Sequence, residues 1–296
     1  MLFIGNSYTA RHRLAEVVKS MAEAGDPGLN FQYETVIYGG RTLADHWRLR
    51  TQNFVRRHSL TRDEQTATIA SMKKSALTDA NDRYAKAALQ KHRSFLEDLD
   101  SNRKRWDVIV LQSYRDDLDG SESLYAQYAP KFAQLAAQQG ARTILYVTTP
   151  TTQNAQPLKK SPNRDAVLDK SRAIAALADQ VDASVAPMAL VASICQSERP
   201  DLTLRFVNDA HLNQTMAYLT ACTLYAALFD KSPQGLPIDS ITDIRYLDND
   251  PKQKDKDRDG KPITRTFSKQ DKDDLQRFAW QGYQAFQALR SDLRTR

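Results

Sequence analysis

Ser7 follows the apolar run Leu2-Phe3-Ile4 and the pair Gly5-Asn6, and it precedes an amphipathic stretch through Leu14, Val17, Val18 and Met21. A serine between a strand and a helix can attack a carbonyl, because its own backbone N–H at the helix start can donate to the oxyanion that forms. On its own, a serine so placed reads as a helix N-cap. A base is needed to make it a nucleophile. Of the five histidines, His12 falls in the first helix, His58 and His92 in a basic segment, and His46 after Gly39-Gly40. His211 stands in the polar stretch Asn208-Asp209-Ala210-His211-Leu212-Asn213, immediately before a long apolar helix. An acid beside such a histidine holds one imidazole tautomer and leaves the other nitrogen free to take a serine proton. An isolated Asp-x-His is also what a surface loop looks like.

The elements that must position these residues alternate along the chain. Apolar or β-rich runs at 2–4, 31–38, 108–111, 143–147 and 183–186 are separated by helical stretches that include 124–139, 163–182 and 216–229. The run Val108-Ile109-Val110-Leu111 is continuous, the mark of a strand buried on both faces. Strand, helix, strand, helix implies an α/β fold with a parallel sheet. Ligands in such sheets bind beyond the carboxyl ends of the strands. That rule gathers Gly5-Asn6-Ser7, Gly39-Gly40-Arg41-Thr42 and Gln112-Ser113 on one edge.

Composition narrows the field. The 296 residues carry 42 Lys+Arg against 36 Asp+Glu, a formal charge of +6. Between residues 50 and 105 there are 13 basic and 7 acidic residues, a difference equal to that of the whole chain, so the other 240 residues are neutral in sum. Leu77, Tyr84, Ala88, Leu89, Phe95, Leu96 and Leu99 recur there at helical spacing. The segment therefore reads as helices with a solvated face, and no nucleic-acid partner is expected. No stretch approaches the ~20 apolar residues of a membrane span. No signal peptide is visible, and the abrupt start points to a targeting segment outside this sequence, hence a periplasmic or secreted protein, and otherwise a cytoplasmic one. Cys195 and Cys222 are expected to be buried thiols. Asp255, Asp257 and Asp259, followed by Gly260, open like a calcium loop, yet Thr266 stands where a bidentate Glu is wanted. The stretch reads instead as a solvated hairpin tip, and no metal or other cofactor is expected.

Four blocks together are more specific than any one of them. Phe3-Ile4-Gly5-Asn6-Ser7-Tyr8-Thr9, Gly39-Gly40-Arg41-Thr42-Leu43, Trp106 through Ser113, and Asp209-Ala210-His211-Leu212-Asn213 resemble the SGNH/GDSL hydrolase family in order and spacing. The resemblance spans most of the chain except about 50–104 and 248–266. It implies a three-layer α/β/α fold with a mostly parallel, flavodoxin-like sheet, as one domain over 1–296. A basic helical insertion would occupy about 50–104 and a charged loop or hairpin about 248–266. Because the insertion leaves the chain just after Gly39-Gly40, it is expected to wall the site.

The same resemblance implies roles. Ser7 is the nucleophile and gives one oxyanion N–H, and Gly40 gives a second, with Gly39 the near alternative. The family's Gly-x-Asn-Asp motif is absent, and the Gln112 amide stands in as third donor. His211 is the base. Asn208 occupies the family's acid position, three residues before the histidine, so the acid is either Asp209, which is favoured, or Asn208. Asn6, Arg41 and His46 are expected to touch substrate. The implied reaction is ester hydrolysis through an acyl-serine, with a short acyl group such as acetyl on a carbohydrate-type small molecule. The alternative is a catalytically weakened binding module of the same fold.

Overall fold

In the computed structural model the described residues are all except 79–80, 115–122, 149–151, 244–252 and 296. The chain runs β1 (Leu2–Gly5), α1 (Ser7–Ala10), a 3-10 turn (Arg11–Arg13), α2 (Leu14–Gly25), β2 (Glu34–Ile37) and α3 (Leu43–Arg48). The basic segment contributes α4 (Gln52–Val55), α5 (Arg62–Thr78) and α6 (Arg83–Asp98). Then come β3 (Val108–Gln112), α7 (Leu124–Ala137), β4 (Arg142–Val147), α8 (Asp165–Gln180), β5 (Ala183–Pro187) and α9 (Met188–Glu198). The last part holds β6 (Arg205–Phe206), β7 (Asp209–Leu212), α10 (Gln214–Phe229), β8 (Ser240–Thr242), β9 (Thr264–Thr266) and α11 (Lys269–Thr295).

Five strands form one parallel sheet in the order β2-β1-β3-β4-β5. Successive side chains of a strand point to opposite faces, so each central strand feeds two cores. Phe3, Val110, Ile144 and Tyr146 pack with α2, α9, α10 and α11 on one face. Leu2, Ile4, Ile109, Leu111, Leu145 and Val147 pack with α3, α7 and α8 on the other. This double burial is why the strands are continuous apolar runs. The result is the expected α/β/α layering. With order 2-1-3-4-5, the connections diverge between β1 and β3, and a crevice opens at the carboxyl ends of those strands. Ser7 lies at the end of one and Gln112-Ser113 at the end of the other.

The structure differs from the sequence reading in four places. The second strand is shorter than 31–38, because the ladder with β1 begins only at Glu34. The first helix is broken at 11–13, where His12 (φ 58°) and Arg13 (φ 49°) are left-handed. The run Met188–Glu198, unassigned in sequence, is a helix. The polar stretch around His211 is a strand, β7, paired antiparallel with β6. In the 248–266 region β9 pairs with β8, and the part at 248–252 lies outside the described residues. Both cysteines are buried free thiols. No helix among the described residues is long and apolar enough to cross a membrane.

Candidate active site

The turn from β1 into α1 is held by buried polar groups. Asn6 caps α1, its Oδ1 accepting the Tyr8 N–H at 3.0 Å, and so places Ser7 in the first turn. The Asn6 N–H donates to Gln112 Oε1 at 2.8 Å, and the Thr9 hydroxyl donates to the same oxygen at 3.1 Å. A Cβ on Gly5 would lie 2.5 Å from Thr9 Oγ1 and 2.6 Å from Gln112 Oε1, so only glycine fits at that crossing. His46 Nε2 lies 2.9 Å from the Gly5 carbonyl, and Nδ1 lies 3.0 Å from Thr51 Oγ1. A carbonyl can only accept, so Nε2 carries the hydrogen and Nδ1 accepts from threonine. Burial lowers the His46 pKa to about 4, which keeps the ring neutral.

These contacts correct three expectations. The Gln112 amide does not present a donor to the site: its oxygen is occupied as described, and its Nε2 donates to the Ser113 carbonyl. Asn6 and His46 are fully buried and are absent from the lining of the Ser7 cavity: the Asn6 side chain meets the backbone of Tyr8 and Arg41, and the His46 ring meets the Gly5 carbonyl and the Thr51 hydroxyl. The physical reason is common to all three. Buried polar atoms need partners, and the backbone and hydroxyl groups packed around them supply those before any ligand can.

The β6–β7 hairpin brings the base. His211 Nε2 lies 2.8 Å from Ser7 Oγ, and Nδ1 lies 2.5 Å from Asp209 Oδ1, which also accepts the His211 backbone N–H at 3.1 Å. A carboxylate only accepts, so Nδ1 carries the proton and Nε2 is free to accept the serine's. Arg11 Nη1 and Arg258 Nε donate to Asp209 Oδ2 at 3.1 and 3.0 Å. Burial alone would raise the Asp209 pKa, but the hydrogen bonds from His211 and the positive charge of Arg11 outweigh it and hold the carboxyl well below its usual range. Asn208 sits exposed at the hairpin tip, and the partner of His211 Nδ1 is Asp209.

Three side chains fix the hairpin against the segment that follows the serine. The Tyr8 hydroxyl donates to the Ala210 carbonyl at 2.8 Å, and its ring lies 5.5 Å from that of His211. Arg11 also donates to the buried Asp243 at 2.5 Å, and His12 Nε2 donates to the Leu212 carbonyl at 2.8 Å. The left-handed turn at 12–13 thus sits where α1 is bolted to β7. Nothing in the spacing of positions 8, 11 and 12 against 209–212 signals these contacts.

Ser7, Gly40, Arg41 and His211 line one cavity of about 580 Å³. Gly40 (φ 66°) is the third residue of a turn closed by the Arg41 N–H on the Tyr38 carbonyl at 3.2 Å, a place that favours glycine. Asn6 Nδ2 reaches the Arg41 carbonyl at 3.2 Å and ties this turn to the serine. The start of α6 adds Arg83 and Tyr84 to the wall, the Tyr84 hydroxyl donating to the Gly39 carbonyl at 2.7 Å. The basic segment therefore does reach the site. A second cavity of about 400 Å³, lined by Phe206, Asp257, Lys261 and Arg265, contains neither Ser7 nor His211.

The calcium-like pattern has another use. Asp257 is buried, and its Oδ1 accepts the N–H groups of Asp259 and Lys261, each at 2.9 Å. Asp259 accepts the Val207 N–H at 2.9 Å. Two of the three carboxylates are thus turned toward backbone donors, and among the described residues no three metal-capable side chains converge. Asp255, Asp257 and Asp259 shape a loop that docks on the β6–β7 hairpin and delivers Arg258 to Asp209.

No family model matches the chain, and no curated protein matches it. Among solved structures it is similar to a protein of Slackia heliotrinireducens provisionally named an SGNH hydrolase. Identity is 18%, the TM-score is 0.45, and the match covers 78% of this chain and 97% of that one. At that distance the likeness carries no argument about the site, which stands on its own geometry.

Proposed function

We propose that this protein is a serine ester hydrolase of the SGNH type, working through an acyl-serine. The observation that carries the reading is the unbroken chain Ser7–His211–Asp209, at 2.8 and 2.5 Å, opening on a cavity. Ser7 Oγ attacks the ester carbonyl carbon as its proton passes to His211 Nε2. The oxyanion is held by the backbone N–H groups of Ser7 and Gly40. Collapse of the tetrahedral species breaks the bond to the alcohol, which leaves with the proton from Nε2. Water then repeats the sequence on the acyl-serine and releases the acid. Asp209 holds the imidazole tautomer and stabilises the imidazolium. The resemblance in sequence favours a short acyl group, acetyl on a carbohydrate. The weakened binding module rested on Asn208 standing in the acid's place and on the absent Gly-x-Asn-Asp motif; Asp209 on His211 counts against it, and the Gln112 amide turned away from the cavity counts for it.

The test is hydrolysis of 4-nitrophenyl acetate together with labelling by a fluorophosphonate. The wild type should turn over and carry the adduct on the Ser7 peptide, and Ser7→Ala should lose both. Asp209→Asn should lower kcat by about 10²–10⁴-fold, and Asn208→Ala should leave it unchanged. Equal rates in wild type and Ser7→Ala would sink the enzyme reading in favour of the binding module. Acetate release from acetylated oligosaccharides tests the substrate class.

A further inference from the structure

Resting on the esterase reading, we infer that the catalytic cavity carries an anion subsite, built by Arg41, Arg83 and Tyr84, and that the preferred substrate is an ester bearing a negatively charged group. The Arg41 guanidinium lies 4.4 Å from the centre of the Tyr84 ring, and that of Arg83 lies 4.8 Å from the same centre. Two positive charges are thus held on one ring, closer together than the sum of those distances. The ring itself is fixed, because its hydroxyl accepts from Arg83 at 2.8 Å and donates to the Gly39 carbonyl at 2.7 Å. Elsewhere in this region Arg48, Arg56, Arg57 and Arg62 each meet a carboxylate. Arg41 and Arg83 meet none among the described residues, and no described carboxylate lines the cavity. Arg41 Nε is shielded from solvent and has no hydrogen-bond acceptor.

Two like charges on one ring repel, and an oxyanion placed beside them offsets that repulsion. The guanidinium fork matches the geometry of a carboxylate or phosphate. The anion would be held by these side chains and not by the helix start, since the N–H groups of Tyr84 and Ala85 are already taken by Asp82. The arrangement also gives the basic segment a purpose: its α6 carries half of the subsite into the catalytic cavity.

The experiment compares charged esters with neutral partners of the same shape. The probes are 4-acetoxybenzoate and 4-nitrophenyl hemisuccinate, with the anion on the alcohol and acyl side respectively, each against its methyl ester. For at least one pair, kcat/KM should favour the charged ester by about tenfold or more at low ionic strength, and the preference should shrink with added salt. Arg41→Gln and Arg83→Gln should each reduce that ratio severalfold, whereas Arg62→Gln, a surface arginine paired with Asp100, should keep it. If either variant is unstable, the salt dependence of the wild type decides. Equal or lower kcat/KM for both charged esters would overturn the subsite while leaving a Ser7-dependent esterase intact. Calorimetric titration of Ser7→Ala with 4-acetoxybenzoate and its methyl ester asks the same question without turnover. Tighter binding of the anion supports the subsite even if hydrolysis is never seen, and equal binding rejects it.

Discussion

Asp209 is an acid held between two guanidiniums and an imidazole, and the residue that matters most to it is one the reaction does not touch. Arg11 is 4% exposed and bridges Asp209 to Asp243, itself fully buried. Removing one partner of a buried ion pair leaves an uncompensated charge, a loss of about 3–5 kcal/mol. Arg11→Met should therefore lower the unfolding free energy by about 3 kcal/mol or more, read from the urea midpoint. Arg258, whose side chain is 27% exposed, has water as an alternative partner, and Arg258→Gln should lower stability by about 1 kcal/mol or less. Equal losses for the two would show that burial is not what separates them. Ser7, Asp209 and His211 were legible from residue type and chain order. Arg11 and Arg258 were not, because neither lies in a motif that marks it out among the 42 basic residues, and only packing sets them against Asp209.

The elements around the serine are braced by groups that look like site residues in sequence. Gln112 is the clearest. Its Oε1 receives the Asn6 N–H and the Thr9 hydroxyl, and so locks β3 to the turn that carries Ser7. Gln112→Leu should strand two buried donors, cost about 1–3 kcal/mol, and lower kcat more than it changes KM, because the serine is displaced while the cavity wall stays. Gly5→Ala should do the same more severely, since its Cβ would sit against two oxygens at once. Melting temperatures and steady-state kinetics on 4-nitrophenyl acetate measure both, and an unchanged kcat in Gln112→Leu would mean that the brace is not needed. The long apolar strands were readable because each is buried on two faces. β6 has two residues and β7 four, too few to establish a period. Met188–Glu198 was missed for a related reason: its apolar part, Met188 to Ala192, is short enough to fit a buried strand or a buried helix equally.

At the scale of the molecule, buried neutral histidines set the response to acid. His12 and His46 both have pKa values lowered to about 4, mainly by burial, and burial lowers His92 as well. Between pH 4 and the ordinary histidine value near 6.5, the unfolded chain binds protons that the folded one does not, so stability falls as pH drops through that window. Each of His12 and His46 contributes about 3 kcal/mol to the loss by pH 4. Together they approach the whole stability of a typical domain. The protein should therefore be fully stable above about pH 6.5 and unfold on approaching pH 4. His46→Gln should flatten the slope of unfolding free energy between pH 6.5 and 4, and an unchanged slope would show that His46 does not titrate on unfolding. The charge of +6 takes on a different meaning at this scale too. Several arginines of the basic segment are neutralised in ion pairs, and two that meet no carboxylate among the described residues, Arg41 just before it and Arg83 within it, line the cavity at Ser7.

The order of apolar runs and the residue types at their ends determined the layered α/β architecture, the edge on which the candidate site lies, and the serine and histidine that meet there. Those features depend on local period and on a topological rule, both of which a linear chain carries. The tertiary structure decided which neighbour of His211 meets its Nδ1, turned Gln112, Asn6 and His46 inward as supports, and brought Arg83 and Tyr84 to the cavity. Each of those outcomes depends on whether a polar atom faces a buried backbone group or open space, and that is settled only when distant segments pack together.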